Sequence, residues 1–193
     1  RIKRCYHREA DVIYPPVDTQ VFYPDKKIRK QNYFLMVGRL LHYKLFDLGV
    51  RVFNELKLPL KIAGAGPELA RLKALASGNH IQFLEEASDE ELRRLYNEAQ
   101  ALIFPQTEDF GLTAAEAQTC GLPVIAFEQG GALEIIQSGK TGIFFRNQRD
   151  ESLKAAIIAF QKMKFSPTII SKSAQKFSKE NFVSQFEKLV DRI

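Results

Sequence analysis

The chain has 193 residues, 45% hydrophobic and 26% charged, with 28 Lys and Arg against 23 Asp and Glu for a net charge of +5. That length suits one domain with a sizeable core, and no apolar run approaches the roughly 18 residues of a transmembrane helix. The mild positive charge favours a phosphorylated ligand or an anionic membrane surface, or is simply a solvated surface, while the lack of a dense basic tract interleaved with aromatics argues against nucleic acid.

Residues 1–31 read as an interdomain linker or lead-in segment. Pro15, Pro16 and Pro24 break regular structure, KKIRK (26–30) is basic, and RIKRCYHREADVIYPP has no apolar signal-peptide core. The chain opens on Arg1 rather than methionine, so it is expected to be part of a longer protein.

From residue 32 onward, short apolar runs alternate with helical patterns. The predicted strands are YFLMVG (33–38), LKIAG (60–64), HIQFL (80–84), ALIFP (101–105), PVIAF (123–127) and GIFF (142–145). Such short, nearly continuous apolar runs suit a parallel sheet buried on both faces. Predicted helices fall near 47–56, 67–77, 88–99, 111–120, 131–138 and 151–163. Pro67 suits a first helical position, and Ser88 followed by Glu91 is a capping-box pattern. A last amphipathic helix is expected over about 168–191, with Ile170, Ala174, Phe177, Phe182, Phe186 and Leu189 on its apolar side. It would pack on the domain or toward a further domain. The alternation predicts an α/β fold with a Rossmann-like doubly wound parallel sheet, its ligand site at the carboxyl ends of the strands.

The strand-end loops carry the chemistry. Arg39 and Lys44 follow the first strand and suit an anion, or else simple surface ion pairs. GAGPEL (64–69) supplies two glycines of a dinucleotide fingerprint, but Leu69 stands where the third would be. A tight strand-to-helix turn is the plainer reading. After the fourth strand, Glu108 lies in a loop and Glu116 in a helix among Ala114, Ala115 and Ala117. A carboxylate in that setting needs a partner, either a neighbouring Arg or Lys or the hydroxyls of a ligand. The two acids are separated by roughly 8 Å of helix axis, with the positive helix N-terminus between them. A nucleotide sugar has the same layout of diol, diphosphate and diol. Gly130 and Gly131, after the fifth strand, would allow a ligand close to the backbone or simply form a loop. Cys5 and Cys120 lie far apart without CxxC, and with no HxxxH the chain gives a metal site little support and suits a reducing cytosol.

Taken together, VIYPPVDTQVF, VGRL followed by YK, AGAGPE, EDFGLTAAEAQTCGLPVIA and GGALEIIQSGKTGIFF resemble the C-terminal, donor-binding domain of family 4 retaining glycosyltransferases with the GT-B fold. The wording is most similar to bacterial and archaeal mannosyltransferases of surface-polysaccharide assembly. The resemblance implies that residues 32–165 form the nucleotide-sugar-binding domain and 166–193 its C-terminal helix. It implies that Arg39 and Lys44, with Gly38, hold the donor diphosphate, and that Glu108 contacts the transferred sugar and Glu116 the ribose. Phe110, Gly111, Leu112 and Thr113 would meet diphosphate and sugar through their backbone, with Leu84 and Glu85 bordering the base. GDP-mannose is the first expected donor and a UDP-sugar the second, with no cofactor and no metal. The acceptor would be a glycan or lipid-linked, reached at the cytoplasmic membrane face with an N-terminal acceptor-binding domain, and this chain alone would bind donor but turn over poorly. The basic start (Arg1, Lys3, Arg4) and KKIRK would help membrane association or be a solvated linker. Two departures stand out: Leu45 follows Lys44, where the family commonly has Gly, and Glu85 stands where a small residue is common. The rival readings are an NAD-dependent oxidoreductase, which leaves Arg39, Glu108 and Glu116 unexplained, and a non-catalytic sugar-nucleotide-binding module.

Overall fold

The computed structural model describes residues 2–192. Arg1, grouped above with the basic start, lies outside them. A short helix, α1 (Ile2–Tyr6), buries none of its side chains. Six strands then alternate with helices: β1 (Phe34–Val37), α2 (Phe46–Leu56), β2 (Leu60–Ala63), α3 (Leu69–Leu75), β3 (Ile81–Leu84), α4 (Asp89–Glu98), β4 (Leu102–Phe104), α5 (Leu112–Thr119), β5 (Val124–Phe127), α6 (Ala132–Ile135), β6 (Gly142–Phe145) and α7 (Asp150–Phe160). After them come α8 (Pro167–Ala174) and α9 (Lys179–Val190).

All strand pairs are parallel, in the order β3-β2-β1-β4-β5-β6. The chain winds outward from β1 to β3, then returns to lay β4 on the other side of β1. The order reverses between β1 and β4, and in such sheets the ligand crevice lies at the carboxyl ends of the strands at that reversal. Side chains alternate across the sheet. Leu35, Val37, Leu102, Phe104, Val124 and Ala126 face the layer that contains α4, α5 and α8. Phe34, Met36, Ile103 and Ile125 face the layer of α2, α3 and α7. Burial on both faces is why the strands read as continuous apolar runs.

Local signals and tertiary contacts divide the helix ends between them. Ser88 and Glu91 form the predicted capping box: the Ser88 hydroxyl accepts from the Glu91 amide at 3.3 Å, and the Glu91 carboxylate accepts from the Ser88 amide at 2.9 Å. Pro67, in contrast, precedes α3 by two positions, because residues 66–68 are tied to the β1 loop through the Glu68 amide and the Leu40 carbonyl. The expected final helix is two helices. The chain turns at Gln175–Phe177, where Phe177 is buried and its carbonyl accepts from the Val17 amide at 2.8 Å. Ser178 then caps α9 by accepting from the Asn181 amide. Part of the lead-in segment is packed as well: Val17 and Phe22 are buried in the same layer as Phe177, and Asn97 holds the Tyr23 carbonyl and the Asp25 amide. Helix α9 buries no side chain and exposes Val183, Phe186 and Val190. Among the described residues no helix is long and apolar enough to cross a membrane.

Candidate functional site

The β1 and β4 loops meet at the reversal point. Gly38 follows β1, and Arg39 comes next, exposed and with no ion pair among the described residues. The chain then makes a short turn, His42–Lys44, and enters α2 through Leu45. Leu45 is left-handed, with φ 53° and ψ 38°. Glycine is the residue best suited to that conformation, since a side chain there costs about 1–2 kcal/mol. Leu45 is half-buried against the α2 layer, which offsets part of this cost.

Lys44 turns back toward the crevice. Its Nζ stands 2.9 Å from Glu108 Oε1, and the two side chains are 16% and 24% exposed. A methyl group added at Gly38 would lie 3.6 Å from the same Nζ. Lys44 is therefore a paired cation in the free chain rather than an open one. The contact is ionic and lacks hydrogen-bond alignment, so the buried Glu108 Oε1 keeps an unfilled acceptor position.

The Gly64–Gly66 turn and the Gly130–Gly131 pair take their positions from this loop system. A Cβ at Gly64 would lie 2.0 Å from the Gly38 carbonyl oxygen, and one at Gly66 would lie 2.5 Å from that of Leu40. The GxG turn seats the Arg39 loop, with the Gly38 amide donating to Ala63 and the Leu40 amide to Ala65. Similarly, a Cβ at Gly131 would lie 2.0 Å from the Phe110 carbonyl oxygen, and the Gly131 amide donates to the Glu108 carbonyl at 2.9 Å. Gly130 and Gly131 thus admit the backbone of the glutamate loop rather than that of a ligand.

Helix α5 starts at Leu112 with Gly111 as its N-cap and no side-chain cap, so the helix end stays open to the crevice. Leu112 is exposed and Thr113 half-buried. The Phe110 ring turns away, stacked on Tyr14 at 5.7 Å and edge-on to Phe177 at 5.2 Å, which ties the glutamate loop to both ends of the chain. Beside Arg39, a cleft of about 430 Å³ is lined by Gly38, Gly64, Glu85, Glu86 and Leu92 among others. Leu84 ends β3 and accepts from the Gly64 amide. Glu85 pairs with Lys73 at the surface.

Glu116 lies one helical turn into α5. Its expected partners were a neighbouring cation or a ligand, and among the described residues no cation pairs with it. The hydroxyl of Tyr96, on α4, donates to Glu116 Oε2 at 3.0 Å, and Oε1 has no hydrogen-bond partner among the described residues. Burial pushes the Glu116 carboxyl above the usual range, the Tyr96 hydrogen bond works against that, and Asp89 adds to the rise. Tyr96 escaped the sequence reading because its apolar helix face marks it only as core.

The family model "Glycosyl transferases group 1" matches residues 20–181. A D-inositol 3-phosphate glycosyltransferase of Mycobacteroides abscessus is 32% identical over 167 residues, covering 76% of this chain and 38% of that protein. A GDP-mannose-dependent alpha-(1-6)-phosphatidylinositol monomannoside mannosyltransferase of Mycolicibacterium smegmatis is 32% identical over 155 residues, covering 66% of this chain and 41% of that protein. Among solved structures, Anabaena HepE in complex with UDP and glucose superposes with a TM-score of 0.78 at 18% identity, over 95% of this chain and 57% of that one. The chain thus spans about two fifths of the length of these two relatives. With this match and this fold, the chain belongs to the glycosyl transferases group 1 family and has the Rossmann-like C-terminal domain architecture of GT-B glycosyltransferases.

Proposed function

We propose that the crevice between the β1 and β4 loops binds a nucleoside-diphosphate sugar as the donor of a retaining hexosyl transfer. The observation that carries this reading is the Lys44–Glu108 contact, which brings a cation of one loop against a carboxylate of the other beside an open helix N-terminus. Arg39, Lys44 and the α5 N-terminus take the diphosphate, Glu108 takes the sugar, and Glu116 takes the ribose diol. The backbone of Phe110 to Thr113 lies along the diphosphate, and Leu84 and Glu85 border the base. Because Lys44 is already paired, the donor must take over part of its interaction with Glu108.

In the transfer, the bond between the anomeric carbon and the diphosphate oxygen breaks, and the departing nucleoside diphosphate gains negative charge. Fixed cations and helix N–H groups stabilise that charge as it forms, which makes the reaction independent of a divalent metal. The acceptor, a glycan or lipid-linked, approaches with a further domain, which also helps retain the anomeric configuration. GDP-mannose is the favoured donor, on the likeness to the mycobacterial mannosyltransferase, and UDP-hexoses are the second choice, on the likeness to HepE.

The test is a thermal-shift series with GDP, UDP, ADP, NAD and GDP-mannose, with and without chelator. A ligand at about 100 times its Kd stabilises by about 2.7 kcal/mol. A shift with GDP-mannose, or with UDP, that chelator leaves intact supports the reading. Stabilisation by NAD alone would end it.

A further inference from the structure

We propose that Tyr96 is a positioning residue for donor binding: its hydroxyl holds Oε2 of Glu116 so that Oε1 is presented to the vicinal hydroxyls of the nucleotide ribose. The inference rests on the reading above, in which Glu116 meets the ribose.

Tyr96 is fully buried near the end of α4, its ring edge-on to Phe22 at 5.9 Å. The capping box at Ser88 anchors the start of that helix. The phenol reaches Glu116 across the layer that α4 and α5 share, at 3.0 Å. The titratable groups acting on Glu116 are Tyr96 and Asp89, both on α4, and neither is a cation. Cys120, the C-cap of α5, is pushed up to about 12 by burial and by Glu116. Arg93 and Lys30 act on Cys120, one step further away.

A phenol suits this task better than Arg or Lys. A cation would neutralise the carboxylate and compete with the diol for its lone pairs. A phenol engages one oxygen, leaves the charge in place and fixes the orientation of the other oxygen. Burial, and then Glu116 itself, push the Tyr96 hydroxyl well above its ordinary range, so it stays a neutral donor. Removing the hydroxyl removes the influence that lowers Glu116, whose carboxylate then protonates at a higher pH.

The experiment uses the 193-residue chain and titration calorimetry with UDP, GDP and their 2′,3′-dideoxy counterparts, from about pH 5 to about pH 8. Tyr96→Phe keeps the ring volume. It is expected to weaken the ribonucleotides about tenfold at neutral pH, change the dideoxynucleotides less than about twofold, and raise the pH at which affinity falls on acidification. In a Glu116→Gln background the same substitution is expected to do nothing further. Equal losses for ribo- and dideoxynucleotides, or an unmoved acid limb, would reduce Tyr96 to a packing residue and overturn the proposal. If Glu116→Gln itself left ribonucleotide affinity unchanged, the ribose assignment would fall. A loss with Glu116→Gln but none with Tyr96→Phe would sink only the positioning role.

Discussion

Replacing Glu108 with Gln separates two effects that the free chain holds together. Glu108 neutralises Lys44 across 2.9 Å, and in the proposed complex it also contacts the donor sugar. Opposite unit charges that close attract by on the order of 5 kcal/mol at an effective dielectric near 20. Dehydration of both groups and the solvent that still reaches them (16% and 24% exposed) reduce the net coupling to about 1–3 kcal/mol. Glu108→Gln releases Lys44 to the diphosphate. Free GDP or UDP should therefore bind as tightly as to wild type, or up to about tenfold tighter. GDP-mannose gains the same freed cation but loses a charge-assisted hydrogen bond worth about 1.5–3 kcal/mol, so the preference for the sugar nucleotide over the free nucleotide collapses. Lys44→Met should instead weaken both ligands by about tenfold or more and flatten the salt dependence of binding. Titration calorimetry of the three proteins with both ligands reads these differences directly. If Glu108→Gln weakened free GDP as much as Lys44→Met did, Glu108 would be holding Lys44 in place rather than restraining it, and the charge-release reasoning would be wrong.

Two further outcomes follow from the same contacts. Gly131→Ala puts a Cβ 2.0 Å from the Phe110 carbonyl oxygen. The glutamate loop must shift, at a cost of about 1–3 kcal/mol, with a melting point lower by several degrees and weaker nucleotide binding; an unchanged melt and an unchanged Kd would show that the loop does not depend on this contact. Glu116, raised by burial in the fold, binds its proton more tightly folded than unfolded. Its contribution to stability is therefore lost as pH rises from the ordinary glutamate range through the raised folded value. Glu116→Gln should melt above wild type at neutral pH, with the gain disappearing in acid, and a wild type more stable than the variant at neutral pH would contradict the burial argument.

What the sequence determined by itself was set by near neighbours along the chain. Six apolar runs located all six strands, because burial on both faces leaves no polar alternation to confuse them. The Ser88 capping box was legible because both partners lie within one helical turn. The loops that carry Arg39, Lys44 and Glu108, and the helix start before Glu116, were legible because an α/β alternation assigns every βα loop to the same end of the sheet.

The tertiary structure decided which of these groups meet. Tyr96 lies 20 residues from Glu116 in the chain, and only the return of the chain from β3 to β4 brings α4 beside α5. Gly64 and Gly66 offered part of a dinucleotide fingerprint or a tight turn, and Gly131 a ligand approach point or a loop, and each admits a neighbouring loop's backbone, an identity set by strand order. The amphipathic pattern of the last segment ran on through Phe177, yet the helix breaks there because the Phe177 carbonyl pairs with Val17. Periodicity records that a residue is buried. The atom it is buried against is chosen by crossovers and register, and these leave no mark in the local pattern.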